Sequence, residues 1–127
     1  MKTLVWKSYS ADNMDEALSC NYCVYVLHNP MDNDRPHYIG KAKYFGTKQS
    51  DGYKGSARYN SGYTHLLAGM LRAGYTLYIA EIGETDYTNA EAYEQELIHI
   101  WNPIRDQKRK PKIRMKVQQE KPWGNII

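Results

Sequence analysis

Tyr25, Tyr38 and Glu94 are the residues of this sequence whose types and positions suggest chemistry rather than filling. A phenol has a reference pKa of about 10, so it takes up a proton at neutral pH only where a nearby cation favours its ionised form. A carboxylate on a core-facing helix stripe is costly unless it is paired, protonated or bound to a cation. A carboxylate so placed can hold a divalent ion, whereas each tyrosine could equally be a strand aromatic filling the core.

The elements that must position them can be read locally. Tyr25 and Tyr38 lie on two β-type runs, Cys23-Val24-Tyr25-Val26-Leu27 and His37-Tyr38-Ile39-Gly40. The intervening residues 29–36, NPMDNDRP, are turn material, because Pro fixes φ while Asn and Asp bend the backbone through their own side chains. This predicts a β-hairpin with a long loop. Alternation along a strand groups Tyr25 with Cys23 and Leu27, and Tyr38 with Gly40, so pairing brings both phenols to one face beside Lys41-Ala42-Lys43. Lys41 is then the natural cation to lower the Tyr25 pKa.

Glu94 belongs to a helix that a Thr88-Asn89-Ala90-Glu91 capping box should open and Asn102-Pro103 should close. At about 100° per residue, Ala90, Leu97, Ile98 and Trp101 all fall within about 60° of Glu94, whereas Gln95 and Glu96 fall on the polar side. Glu94 therefore sits mid-stripe. A salt bridge to an arginine, or a stripe that ends at the domain edge, would account for it without function.

The paired runs resemble the double signature of the GIY-YIG nucleases. Cys23-Val24-Tyr25 stands for the first tripeptide, with cysteine in place of its glycine, and Tyr38-Ile39-Gly40-Lys41-Ala42-Lys43 for the second. Residues 94–106, EQELIHIWNPIRD, resemble the family's late helix with its metal-binding glutamate, matching at Glu94, Leu97-Ile98 and Pro103. The family usually has asparagine where Asp106 stands, and Asn102 is the other candidate for that role. The insertion after Lys43 is similar to phage and restriction-type members, and Arg58 is the arginine that fits the family's helix position. The resemblance covers about residues 22–106. It implies an α+β domain with a small central three-stranded antiparallel sheet flanked by helices. It also implies a DNA endonuclease in which Glu94 holds Mg²⁺ or Mn²⁺, Tyr25 is the general base, Tyr38 and Lys41 assist, and Arg58 binds the phosphate. A non-catalytic nucleic-acid-binding module on the same fold, and a nuclease acting on RNA or branched DNA, are the alternatives.

Around these motifs, 127 residues allow one domain with a modest core, and the 12 tyrosines argue against disorder throughout. No apolar run approaches a membrane span, and a cytoplasmic protein is expected. Residues 1–104 carry nine Lys/Arg against twelve Asp/Glu (−3), and residues 105–127 eight against two (+6). A basic tail on a mildly acidic body suits a polyanion, with Lys43, His65, Lys108, Arg109 and Lys110 as candidate DNA contacts. The expected division is an N-terminal extension (1–21), the domain (22–106) and a basic arm (107–127) with an apolar end at Trp123. Cutting both strands would need one site acting twice or a homodimer. Cys20 and Cys23 lack the further ligands that zinc requires and are expected to be structural. Met1 to Ser10 reads as an edge strand, Ala11 to Ser19 as a short helix opened by Asp12, residues 44–60 as a loop, Tyr63 to Arg72 as a helix stopped by Gly74, and Thr76 to Ile82 as a strand.

Overall fold

A computed structural model describes residues 2–32, 35–49, 52–55, 61–105, 107 and 120–124; of 47–49, 52–55 and 61–66 it describes the backbone alone. The strands are β1 (Lys7–Tyr9), β2 (Asn21–His28), β3 (Tyr38–Tyr44), β4 (Gly46–Gln49), β5 (Gly52–Gly55) and β6 (Thr76–Glu81). The helices are α1 (Met14–Leu18), α2 (Ser61–Arg72) and α3 (Ala90–Trp101). The class is α+β. The central sheet has four antiparallel strands in the order β1-β6-β2-β3, not three. The extra strand is β1, from residues expected to lie outside the domain. It pairs Lys7, Ser8 and Tyr9 with Ile79, Tyr78 and Leu77, because β6 would otherwise present an open edge.

Helices cover both faces of this sheet. Cys23, Tyr25, Leu27, Ala42, Leu77 and Ile79 pack with Ala17 and Leu18 of α1 and Leu67 and Leu71 of α2. Val24, Val26, Ile39 and Ala80 pack instead with Tyr93, Leu97, Ile98 and Trp101 of α3. Double coverage explains why β2 reads as a continuous apolar run rather than as an alternation. Each fully buried Val, Leu or Ile contributes about 1.5–3 kcal/mol of transfer free energy, so the two clusters hold the layers together.

Local chemistry sets the connections. Ser10 and Asn13 form a reciprocal cap: Ser10 Oγ accepts from the Asp12 amide at 3.3 Å and Asn13 Oδ1 from the Ser10 amide at 2.8 Å. That cap starts a short 3₁₀ turn at Ala11 leading into α1, so Ser10 rather than Asp12 opens the segment. In the hairpin loop the Asp32 amide donates to Asn29 O at 2.9 Å, closing a turn with Pro30 in second position. Beyond Tyr44, where a loop was expected, β4 and β5 form an antiparallel ribbon pairing Gln49 with Gly52. Asp51-Gly52 is a hairpin signal as much as a loop signal, and the Gly and Ser content of this stretch obscured the strands. Gly74 follows α2 with φ of +102°, the left-handed conformation that ends a helix.

The expected capping box of α3 does not form. Asn89 makes no side-chain cap, and Thr88 Oγ donates to Thr85 O at 3.4 Å, because residues 86–89 wind as a 3₁₀ turn. Asp86 ties that turn down instead. It receives Lys2 Nζ at 2.7 Å, Asn89 Nδ2 at 2.8 Å and the Tyr93 hydroxyl at 2.8 Å, and these partners hold its carboxyl below the usual range. Burial and the adjacent Asp86 push the Tyr93 phenol up to about 12.

The apolar end of the tail docks on the α3 side. Trp123 stacks on His28 at 4.6 Å and 10° and meets Trp101 edge-on at 5.1 Å. Trp6 approaches Trp101 at 6.2 Å, so both chain ends pack against α3. Trp6 of the N-terminal extension and Trp123 of the basic arm thus both meet Trp101 of α3. No helix among the described residues is long and apolar enough to cross a membrane. Replacing Trp123 by Ala should lower the unfolding free energy by about 3 kcal/mol. A urea midpoint equal to that of the unaltered chain would show that the tail adds nothing to the core.

Candidate active site

The register of β2 on β3 places Tyr25 opposite Gly40 and Leu27 opposite Tyr38. The two phenols are therefore diagonal neighbours on one face, with ring centroids 6.1 Å apart and planes at 34°. That is the arrangement the alternation predicts. The Tyr25 ring lies directly over Gly40. A Cβ there would stand 2.4 Å from both Cζ and Oη of Tyr25, so only glycine admits the ring. Phe45 closes the other side of Tyr25 edge-on at 5.0 Å.

Accessibility separates the two tyrosines. Tyr25 is 3% exposed and its hydroxyl oxygen is shielded from solvent, whereas Tyr38 is half-buried. Cys23, standing where the first tripeptide has glycine elsewhere, is sealed in the same core, with Sγ 3.6 Å from Ala42 O. Burial raises its thiol, and Cys20 beside Tyr9 is raised by the same cause, so both behave as packing groups.

Lys41 is not the cation beside Tyr25. It follows Gly40 by one residue, so strand alternation turns it to the α3 face, where its Nζ lies 5.6 Å from the Tyr87 ring centre. Lys43 shares that parity and places Nζ 5.7 Å from the Tyr44 ring centre. Among the described residues a cation does meet Tyr38: the guanidinium carbon of Arg105 lies 5.7 Å from its ring centre.

Glu94 stands on α3, half-buried between buried Tyr93 and Gln95, as its mid-stripe position foretold. Gln95, assigned to the polar side by the periodicity, is only 7% exposed, and its Nε2 lies 3.5 Å from Glu94 Oε1. Ala92 is buried too, so α3 is enclosed on a wider arc than its apolar stripe marks. Glu94 and the tyrosine pair thus belong to elements on opposite faces of the sheet. Since β3 is the terminal strand, the route between them runs round its free edge. No described group of three or more His, Cys, Asp or Glu could hold a metal. A single carboxylate such as Glu94 is compatible with Mg²⁺ where waters and phosphate oxygens complete the shell.

The segment after α3 fastens itself along that edge. Asn102 adopts the left-handed conformation (φ +48°) that ends the helix, so its backbone does a capping job. Arg35 holds the turn by donating to Asn102 O at 2.8 Å and Pro103 O at 3.0 Å. The Ile104 amide then donates to Pro36 O at 2.9 Å and the Arg105 amide to His37 O at 3.1 Å. Finally the Gln107 side chain pairs with β3 as a strand would: its Oε1 accepts from the Ile39 amide at 2.9 Å and its Nε2 donates to Ile39 O at 2.6 Å. Neither Arg105 nor Gln107 is conspicuous in the sequence, because each acts through a position that only the α3–β3 docking creates. His37, beside Arg105 and packed edge-on to Tyr75 at 5.5 Å, has its pKa lowered by burial and by that arginine.

Arg58, Asp106, Lys108, Arg109 and Lys110 lie outside the described residues. His65 is on α2, and its side chain also lies outside them.

Gly40→Ala should cost about 1–3 kcal/mol through overpacking against Tyr25. In a double-mutant cycle with Tyr25→Ala most of that cost should disappear, and a fully additive pair would refute the contact. Gln107→Ala should leave Ile39 N–H unpaired, so hydrogen exchange at Ile39 should speed up by about tenfold. Unchanged exchange would mean that the clamp is not held in solution.

No protein-family model, no curated protein and no solved structure matches this chain, so the likeness to the GIY-YIG nucleases rests on the residues themselves.

Proposed function

We propose that the chain is a metal-dependent endonuclease whose active site wraps the free edge of β3. The observation that carries this reading is the Tyr25 ring seated over Gly40 with Tyr38 beside it on the same face, which brings the two tripeptides that resemble the signature together. Glu94 would hold Mg²⁺ or Mn²⁺, which when bound supplies Lewis-acid stabilisation of the phosphate and the leaving oxygen. Tyr38, the accessible phenol, meets the attacking water, and Tyr25 behind it fixes its position. This reverses the order of roles that the resemblance alone implies. Tyr38 would take the water proton, with the Arg105 guanidinium carbon 5.7 Å from its ring centre. The water oxygen bonds to phosphorus and the P–O3′ bond breaks. The 3′-oxygen takes a proton from solvent, leaving 5′-phosphate and 3′-hydroxyl ends. Arg58 is the residue proposed to fork onto the phosphate, as arginine does and lysine cannot. The basic run 108–116, together with Lys43, supplies sequence-independent phosphate contacts. A homodimer would give the second centre needed to cut both strands.

A second reading is favoured by one observation, the solvent-shielded hydroxyl of Tyr25. It is that of a nucleic-acid-binding module on the same scaffold without catalysis. The two separate cleanly. Incubated with duplex plasmid and Mg²⁺, the protein should nick or linearise it, and Glu94→Ala and Tyr38→Phe should each reduce the rate by at least about a hundredfold. Cleavage that survives Glu94→Ala would end the nuclease proposal. Salt-dependent binding without cleavage under any divalent ion would leave the binding module.

A further inference from the structure

Lys41 and Lys43, turned away from the tyrosine pair, end up in a second aromatic group at the other end of β3. Tyr22, Tyr44 and Tyr87 form a continuous series, with Tyr22 at 5.9 Å from Tyr44 and at 5.7 Å, edge-on, from Tyr87. Lys43 Nζ lies over Tyr44 and Lys41 Nζ over Tyr87. The order across the surface is Lys43, Tyr44, Tyr22, Tyr87, Lys41. These rings are not core filling. Tyr44 is 49% exposed, and Tyr22 and Tyr87 are half-buried.

Two features indicate that the group is held in place rather than left over. Tyr22 has φ of +49°, a backbone conformation that an aromatic residue adopts only where its surroundings impose it. Its phenol is pushed up to about 12, first by the Tyr44 phenol beside it and then by burial and Glu84. Glu84 borders Tyr22 as well.

We propose that this surface stacks unpaired bases of the DNA strand, with Lys41 and Lys43 on the adjoining phosphates. Exposed rings interleaved with cations are the chemistry that single strands need, since every base has a π-face and every linkage a charge. Duplex DNA hides its base faces, so a purely duplex ligand would use the amines and not the rings. The inference rests on the chain acting on DNA and names the form of substrate it takes: one with a single-stranded or splayed stretch beside the cut.

The test is binding in EDTA, where no cleavage occurs, so its failure is distinct from failure of the nuclease reading. The probe is a single-stranded oligodeoxynucleotide carrying 2-aminopurine, whose fluorescence is quenched by stacking. The unaltered protein should quench it. Tyr44→Ala and Tyr22→Ala should each weaken binding by about tenfold, while Tyr44→Phe should stay within about twofold. A blunt duplex of the same sequence should lose less than about twofold with Tyr44→Ala. Unquenched binding, no binding of the single strand, or equal affinity of Tyr44→Ala and the unaltered protein would overturn the proposal.

Discussion

The contact of the Tyr25 ring with Gly40 is the constraint on which the rest of the candidate site depends. It allows one register of β2 against β3, because a one-residue slip would set the ring against a side chain and turn every inward group outward. From that register Tyr38 falls diagonal to Tyr25. Ile39 and Lys41 fall on the opposite face. The backbone amide and carbonyl of Ile39 are left at the free edge, where Gln107 takes both. A single missing Cβ thus sets the positions of two phenols, two lysines and an edge clamp.

That register also divides the charges. A lysine one residue past the signature glycine cannot share its face, however close it lies in sequence. The cation that meets Tyr38 comes from 67 residues along the chain, on the segment stapled down by Arg35. The sheet then stands between the phenols and the helix of Glu94. Under the proposed function the two halves meet only where substrate crosses the β3 edge, which is where a scissile phosphate would have to lie.

The parts of the fold with a strong local period were legible: the hairpin, α2 with its glycine stop, β6, and α3 with its closing Asn102-Pro103. So was Glu94, since a carboxylate among Ala90, Leu97, Ile98 and Trp101 is out of place at any surface. What escaped was long-range. The fourth strand lies within the Met1 to Ser10 stretch that reads as an edge strand, and what escaped was its place in the domain's own sheet beside β6. Asp86 replaced the Thr88 cap because Lys2 reaches it from the start of the sequence and joins Tyr93 there. Gln107 and Trp123 read as members of a basic tail, and only docking reveals one as a strand partner and the other as core. The β4–β5 ribbon was masked by its glycines.

The central claim is that a metal on Glu94 and the tyrosine hairpin serve one substrate across the β3 edge. Paramagnetic broadening of amide resonances by Mn²⁺, in the presence of a cleavage-resistant phosphorothioate DNA, tests it most directly. The account predicts saturable broadening at Glu94 and at Tyr38, Ile39 and Lys41, with Lys7, Ser8 and Tyr9 on the far edge spared, and its loss in Glu94→Gln. Broadening that leaves β3 untouched, or that persists unchanged in Glu94→Gln, would contradict it.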